Sequence, residues 1–322
     1  MKNPKVFRNV VPPVLSPFKL DYSDRFLFIG SCFSENIGKL FLTSKFHTSI
    51  NPFGIQYNPI SLLETLQILG GMESIREEDC VESKERWYHW LHHSDYSAEN
   101  KETLLKLIEE NTATTISHFQ DCTTVFITFG TAWVYVLDNQ RIVANCHKMP
   151  SKHFTKRLLS IDEIEQAFKK IAPLLENKKV IFTVSPVRHL RDGFHENQLS
   201  KATLLLAIEK LIPQLKSALY FPSYELIVDE LRDYRFFKED MVHPNEQAID
   251  YVFEWLCPTF FDQKSLNQLS KINATQQMLN HTILHPHSEE SKAFKIKLID
   301  ELKKRISEGV DFTSELRELE RS

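Results

Sequence analysis

The sequence predicts an α/β fold in which helices cover both faces of a parallel sheet, a three-layer α/β/α arrangement. Three observations carry this. Short apolar runs alternate with helical patterns, each apolar run ends in Gly, Pro, Ser or Asp, and the rhythm stops after Pro258. In such sheets ligands gather beyond the carboxyl ends of the strands, so those ends are where function is expected.

The strand runs fall at 25–29, 46–50, 123–129, 180–184 and 225–228, rich in the Val, Ile, Phe and Thr that suit buried strands. Between them, helical patterns cover 34–43, 61–69, 102–111, 160–175 and 200–219, with Ser61, Ser160 and Ser200 as N-caps. Pro213 should kink or break the last of these. The stretch 73–100 departs from the rhythm and reads as an insertion, a lid over one edge of the sheet. Charged amphipathic helices follow at 264–281 and 288–308, then a segment at 312–322 with Glu and Arg at helical spacing. Two units result, a domain over 1–262 and a charged helical extension over 263–322.

The net charge of −4, with basic and acidic residues interspersed, argues against a nucleic-acid partner, which needs clustered cations. No segment has the apolar length of a membrane span, and the first residues lack the apolar core of a signal peptide, so a cytoplasmic protein without a membrane partner is expected. The five cysteines are odd in number and form no Cys-x-x-Cys pair, which points to reduced thiols rather than a disulfide framework or a zinc ribbon.

One of those thiols stands out. Gly30-Ser31-Cys32 follows an apolar strand and opens a helix, where free backbone N–H groups and a partial positive charge favour a thiolate and offer an oxyanion donor. The plainer alternative is a tight turn with an N-cap Ser and a buried Cys. Far downstream, Asp240-Met241-Val242-His243-Pro244-Asn245 places a carboxylate where it can hold one imidazole nitrogen and aim the other, or else forms a surface turn capped by Asp. Asn145, after a strand at 141–144, either reaches a substrate or satisfies its own turn. His89, His92 and His93 meet no recognised ligand spacing, and no metal is assigned. Lys148, Arg188 and Arg191 are candidates for holding an anionic group, or are solvated surface cations.

A series of motifs then occurs in order: Gly30-Ser31-Cys32-Phe33-Ser34 with Asn36-Ile37-Gly38, Asn51-Pro52-Phe53-Gly54-Ile55-Gln56-Tyr57-Asn58-Pro59, Thr128-Phe129-Gly130-Thr131-Ala132-Trp133, Ala144-Asn145-Cys146-His147-Lys148, Thr183-Val184-Ser185-Pro186-Val187, Ser200-Lys201 and Tyr220-Phe221-Pro222-Ser223-Tyr224-Glu225. Together they resemble the GSCFA family from about Gly30 to about Phe261. That family in turn resembles the SGNH or GDSL-type hydrolases, which implies a flavodoxin-like sandwich. The resemblance implies that Cys32 stands where the nucleophilic Ser would be, that Gly54 is the oxyanion glycine, and that Asp240 and His243 complete a triad. The third superfamily block falls on Gly130-Thr131-Ala132-Trp133 and lacks its Asn, so that role passes to Thr131, to Asn145 or to nothing. Ser31 remains a rival nucleophile or a shaper of the turn.

The implied function is an ester hydrolase or acyltransferase that needs no cofactor and acts on a small-molecule or carbohydrate ester. The alternative is a non-catalytic domain that binds a carbohydrate or acyl ligand. The C-terminal helices are the candidate surface for a homo-oligomer.

Overall fold

The structure, a computed structural model, describes residues 8–281 and 288–321. Its centre is a five-stranded parallel sheet of β1 (Arg25–Gly30), β2 (His47–Ile50), β3 (Thr124–Phe129), β4 (Lys179–Val184) and β5 (Ala218–Tyr220), in the order β5-β4-β3-β1-β2. The period-two alternation of side chains sorts the strand residues between two cores. Phe26, Phe28, Phe126, Ile181 and Leu219 face α1 (Cys32–Thr43), and the core on that side also takes in Val252 and Leu256 from the helix Glu246–Phe260. Leu27, Ile29, Val125, Ile127, Val180 and Phe182 face the opposite core, with α2 (Pro59–Leu69), α3 (Lys101–Asp121), α4 (Ile161–Leu175) and α5 (Phe194–Leu211). The helix Glu246–Phe260 is α6. The expected three-layer α/β fold is what the chain forms.

Local chemistry explains the boundaries. Ser160 caps α4 through a capping box with Glu163, as its sequence pattern predicts. Helix α2 begins earlier than expected, because Asn58, not Ser61, is the N-cap: its Oδ1 accepts the Ser61 N–H, and Pro59 occupies the first turn. Helix α3 continues past residue 111 to Asp121, keeping Thr112, Thr115 and Phe119 on its buried face. Ser200 lies inside α5 and does not cap it.

Two strand assignments also change. Residues 225–228 are helical: a turn at Ser223–Glu225 runs into a π-helical segment at Leu226–Glu230, closed by the N–H of Leu231 on the carbonyl of Leu226. The adjacent residues Leu226 and Ile227 both enter the core, which this wide turn permits on one side of the sheet. The fifth strand lies instead at Ala218–Tyr220, overlapping the last two residues of the stretch expected to be helix. Helix α5 stops at Leu211, Pro213 sits in a short 3-10 turn, and an extended run follows.

The insertion contains an antiparallel hairpin, Cys80–Ser83 with Arg86–His89, and packs onto the loop after β2. The His93 N–H donates to the Phe53 carbonyl, Gln56 Nε2 donates to the Leu91 carbonyl at 2.6 Å, and the Phe53 and His92 rings stack. The extension forms α7 (Gln263–Leu279), α8 (Glu289–Ser307) and α9 (Thr313–Arg321) around a small core of Ile272, Leu298, Leu302, Val310 and Phe312. It is tied to the main unit by Lys45, which pairs with Glu315 and lies over the Phe312 ring. Among the described residues no helix is long and apolar enough to cross a membrane.

Candidate active site

The turn after β1 is built around close backbone contacts. Gly30 has φ +144°, and a Cβ there would meet the Thr128 carbonyl oxygen at 2.2 Å, so only glycine fits this bend. Asn51, at the end of β2, accepts the Gly30 N–H on Oδ1 at 2.8 Å, and the Gly30 carbonyl accepts the Gln56 N–H. Ser31 is fully buried and its hydroxyl caps α1 by accepting the Phe33 N–H. Cys32 is only half-buried and opens α1, so it is the more accessible of the two side chains.

Burial pushes the Cys32 thiol up, while the Phe33 and Cys32 backbone N–H groups and the charge of Lys201 pull it down. Tyr57 is in the same neighbourhood: burial pushes its phenol up to about 12, with Cys32 and Glu35 adding to the rise.

The adjoining strand end is held with equal care. The Tyr57 carbonyl accepts the N–H groups of both Gly130 and Thr131. The Thr131 hydroxyl bonds Ser200 Oγ and accepts the Trp133 N–H, while Ser200 Oγ accepts the Ala132 N–H. The next residue of α5, Lys201, is 1 % exposed and donates to the Gly130 and Ser185 carbonyls, each at 2.7 Å. Those carbonyls follow directly on the ends of β3 and β4. Burial pushes this amine down to about 7, and Cys32 opposes the shift.

His243 and Asp240 form a pair with 2.7 Å between Nδ1 and Oδ2. Asp240 Oδ1 accepts the N–H groups of His243 and Val242, and these bonds, followed by the His243 ring, hold the carboxyl down at about 2. Pro244 precedes Asn245, the N-cap of α6, and pairs with Phe237 across a β-bridge.

His189 lies within the fields of both Lys201 and His243. Burial, then those two charges, push it down to about 3, and its Nε2 is buried without a partner. Its ring meets Tyr57 edge-on at 5.5 Å. Tyr57 and His189 are thus in contact, and Lys201 and His243 both act on His189 through charge. No hydrogen bond joins Cys32 to His243. A cleft of about 280 Å³ borders the His243 loop, lined among others by Arg188, Asp229, Arg232 and Phe237, with the Arg188 guanidinium over the Phe237 ring.

Of the expected donors, the Gly54 N–H is occupied elsewhere, while Asn145 is engaged through its acceptor oxygen. The Gly54 N–H donates to the Asn51 carbonyl at 2.7 Å in a turn with φ +76°, where a Cβ would strike His93. Asn145 Oδ1 accepts the His147 N–H and the Ser94 hydroxyl, within the insertion's histidine cluster. In that cluster His89 and His92 meet through their Nδ1 atoms at 3.2 Å, and His147 Nε2 bonds the His89 carbonyl.

Lys201, His189 and Tyr57 were not among the expected site residues. For Lys201 a signal exists: residues 201, 204, 208 and 211 fall on one helical stripe, and its other three members are Leu204, Ile208 and Leu211. His189 and Tyr57 carry no comparable pattern.

A parallel sheet between two helical layers, with a thiol opening the helix after an interior strand, defines a parallel α/β protein. The GSCFA family model matches residues 25–255, most of the chain, and the protein belongs to the GSCFA family. No curated protein and no solved structure matches it.

Proposed function

We infer that the protein is an SGNH-like ester hydrolase or acyltransferase with Cys32 as nucleophile, His243 as general base and acid, and Asp240 as the group that fixes the imidazole tautomer. The observation that carries this reading is the Asp240–His243 pair, 2.7 Å between Oδ2 and Nδ1, in a chain whose half-buried Cys32 opens the helix that follows β1. Cys32 Sγ attacks the acyl carbonyl and its proton passes to His243. The C–O bond to the leaving group then breaks, and the leaving oxygen takes that proton. Water or an acceptor hydroxyl next attacks the thioester and restores the thiol. Proton transfer requires the exposed His243 loop to close slightly or one water to bridge.

The Cys32 N–H, at the open end of α1, serves as oxyanion donor in this scheme. Gly54 and Thr131 contribute by shaping the turns around Cys32 and Gly130, and Ser31 by capping α1. The cleft beside Arg188 and Phe237 adjoins the His243 loop, but Cys32, His243 and Asp240 do not line it, so the scheme assigns it no substrate. The engaged Gly54 and Thr131 N–H groups favour a second reading, a ligand-binding domain without turnover.

Reaction with an activated ester followed by mass mapping separates the two. An acyl label on the Cys32 peptide, retained in Ser31→Ala, lost in Cys32→Ala and strongly slowed in His243→Ala, is the result expected of the enzyme. No label and no turnover across a broad ester panel would sink it.

A further inference from the structure

The cleft beside the His243 loop carries charge that the rest of the protein does not use. Its walls come from Arg188, after β4, and from the π-helical segment Leu226–Glu230 with the turn at Tyr234–Phe236 that follows it. Single π turns recur at functional sites. This one is pinned from behind, where the buried Glu230 carboxylate accepts the Val11 N–H at 2.8 Å and the Tyr251 hydroxyl, leaving Val228 and Asp229 on the cleft side. The floor is fixed as well. Phe237 is 8 % exposed and pairs with Pro244 across a β-bridge, and the next residue, Lys238, donates its N–H to the His243 carbonyl.

Arg188 is half-buried over the Phe237 ring at 5.3 Å, yet among the described residues none of its side-chain N–H groups has an acceptor. A guanidinium that has lost part of its hydration is ordinarily paired. Arg232, on the same cleft, also has no ion pair among the described residues. Of the two carboxylates in the wall, Asp233 is engaged, lying 3.8 Å from Arg235 Nε and accepting the Arg235 backbone N–H. Asp229 has no cation partner among the described residues. Two free guanidiniums against one free carboxylate leave a single positive charge in excess, beside the apolar side chains of Ile227, Val228 and Phe237.

We propose that this cleft binds a small monocarboxylate with an apolar body, the carboxylate on Arg188 and Arg232 and the body on Val228 and Phe237. Charge and size set the class. Guanidinium groups match a carboxylate in bidentate geometry, and Asp229 repels a dianion such as phosphate more than it repels a monoanion. The volume of about 280 Å³ stands at the small end of ligand clefts, which span roughly 300–1,000 Å³. Because Cys32, His243 and Asp240 do not line it, this is a second site, independent of the proposed reaction.

Calorimetric titration of the full chain with benzoate and with isovalerate tests the assignment. Saturable binding of at least one acid is expected, weakened about tenfold in Arg188→Met, which keeps an apolar cover on Phe237, and in Arg232→Gln. Benzyl alcohol, the same ring without the charge, should bind about tenfold more weakly than benzoate. Asp229→Asn leaves both arginines in place and should tighten acid binding; an unchanged affinity there counts against the charge argument and overturns the proposal. So does the absence of saturable binding of either acid at millimolar concentration, or binding that neither arginine substitution alters. Inorganic phosphate bound as tightly as the acids by the wild type overturns the monocarboxylate class. Cys32→Ala should bind the acids as the wild type does, so loss of ester labelling with acid binding intact removes the proposed reaction alone, and acid binding lost in that variant places the ligand at Cys32 and overturns the second site.

Discussion

Asp240 holds His243 at two points and the turn before it at a third: its Oδ2 lies 2.7 Å from the ring Nδ1, and its Oδ1 accepts the N–H groups of His243 and Val242 at 2.9 Å. A carboxylate so bound remains ionised down to pH about 2. Replacing it in Asp240→Asn keeps the shape of the turn but removes the charge that orients the imidazole. The acyl-transfer rate should fall about 10²–10⁴-fold, as expected for a mis-set general base. Thermal unfolding should change little, because both side chains are substantially exposed. A rate equal to the wild type would remove Asp240 from the mechanism.

Thr131→Val separates support from catalysis. The hydroxyl links Ser200 and the Trp133 N–H beneath the surface, so its loss should cost about 1–3 kcal/mol of stability by leaving those groups unpaired. Denaturant unfolding measures this. An oxyanion donor would behave differently, with unchanged stability and a rate lower by about 10²–10³.

Gly30→Ala attacks the nucleophile turn directly. The new Cβ would meet the Thr128 carbonyl at 2.2 Å, and φ +144° is strained for any L residue. A loss of about 2–4 kcal/mol in denaturant unfolding is expected, with slowed alkylation of Cys32 as the turn shifts. A variant as stable as the wild type would contradict the close packing of β1 on β3.

The buried cluster that His89 and His92 of the insertion form with His147 predicts acid lability. Burial pushes His89 and His147 down to about 4 from an ordinary 6.5, and His92 is lowered as well. Between these values the unfolded chain binds protons that the folded chain excludes. Stability is therefore fully present above pH 6.5 and is lost as the pH falls through about 4, each histidine contributing a slope of up to about 1.4 kcal/mol per pH unit. Unfolding temperatures measured from pH 7.5 to 4.5 should show the decline, and His147→Gln should flatten it. Equal slopes in the two proteins would exclude His147 from the effect.

Period and punctuation made much of this legible in the sequence. The strands β1, β3 and β4 are built on uninterrupted apolar or β-branched runs, and the Ser160 cap of α4 carries its Glu at the required spacing. The short strand β5 was hidden because Ala218–Tyr220 has too few residues to show a period beside the strong helical pattern of α5. Leu226–Val228 looked like a strand because β-branched residues suit one, yet tertiary packing selected a π turn. In the candidate site, local chemistry made legible that Cys32 opens a helix and that Asp240 pairs with His243. Lys201 was passed over because a lysine reads as surface, and only the α5 stripe marks it as core. The hydrogen bonds that occupy Gly54 and Thr131 are contacts between backbone turns, to which no residue pattern points.

The backbone of Leu20 donates to the Phe260 carbonyl and accepts from Asp262, joining a residue before β1 to the end of α6. This join spans nearly the whole α/β unit, and its order of assembly follows. During synthesis the strands can emerge and pair in part, but the α1 face of the sheet stays open until α6 leaves the ribosome. Nascent chains arrested before residue 261 should therefore expose Phe41, Phe46 and Phe126 to chaperones and proteases, and gain resistance abruptly once that residue has cleared the exit tunnel.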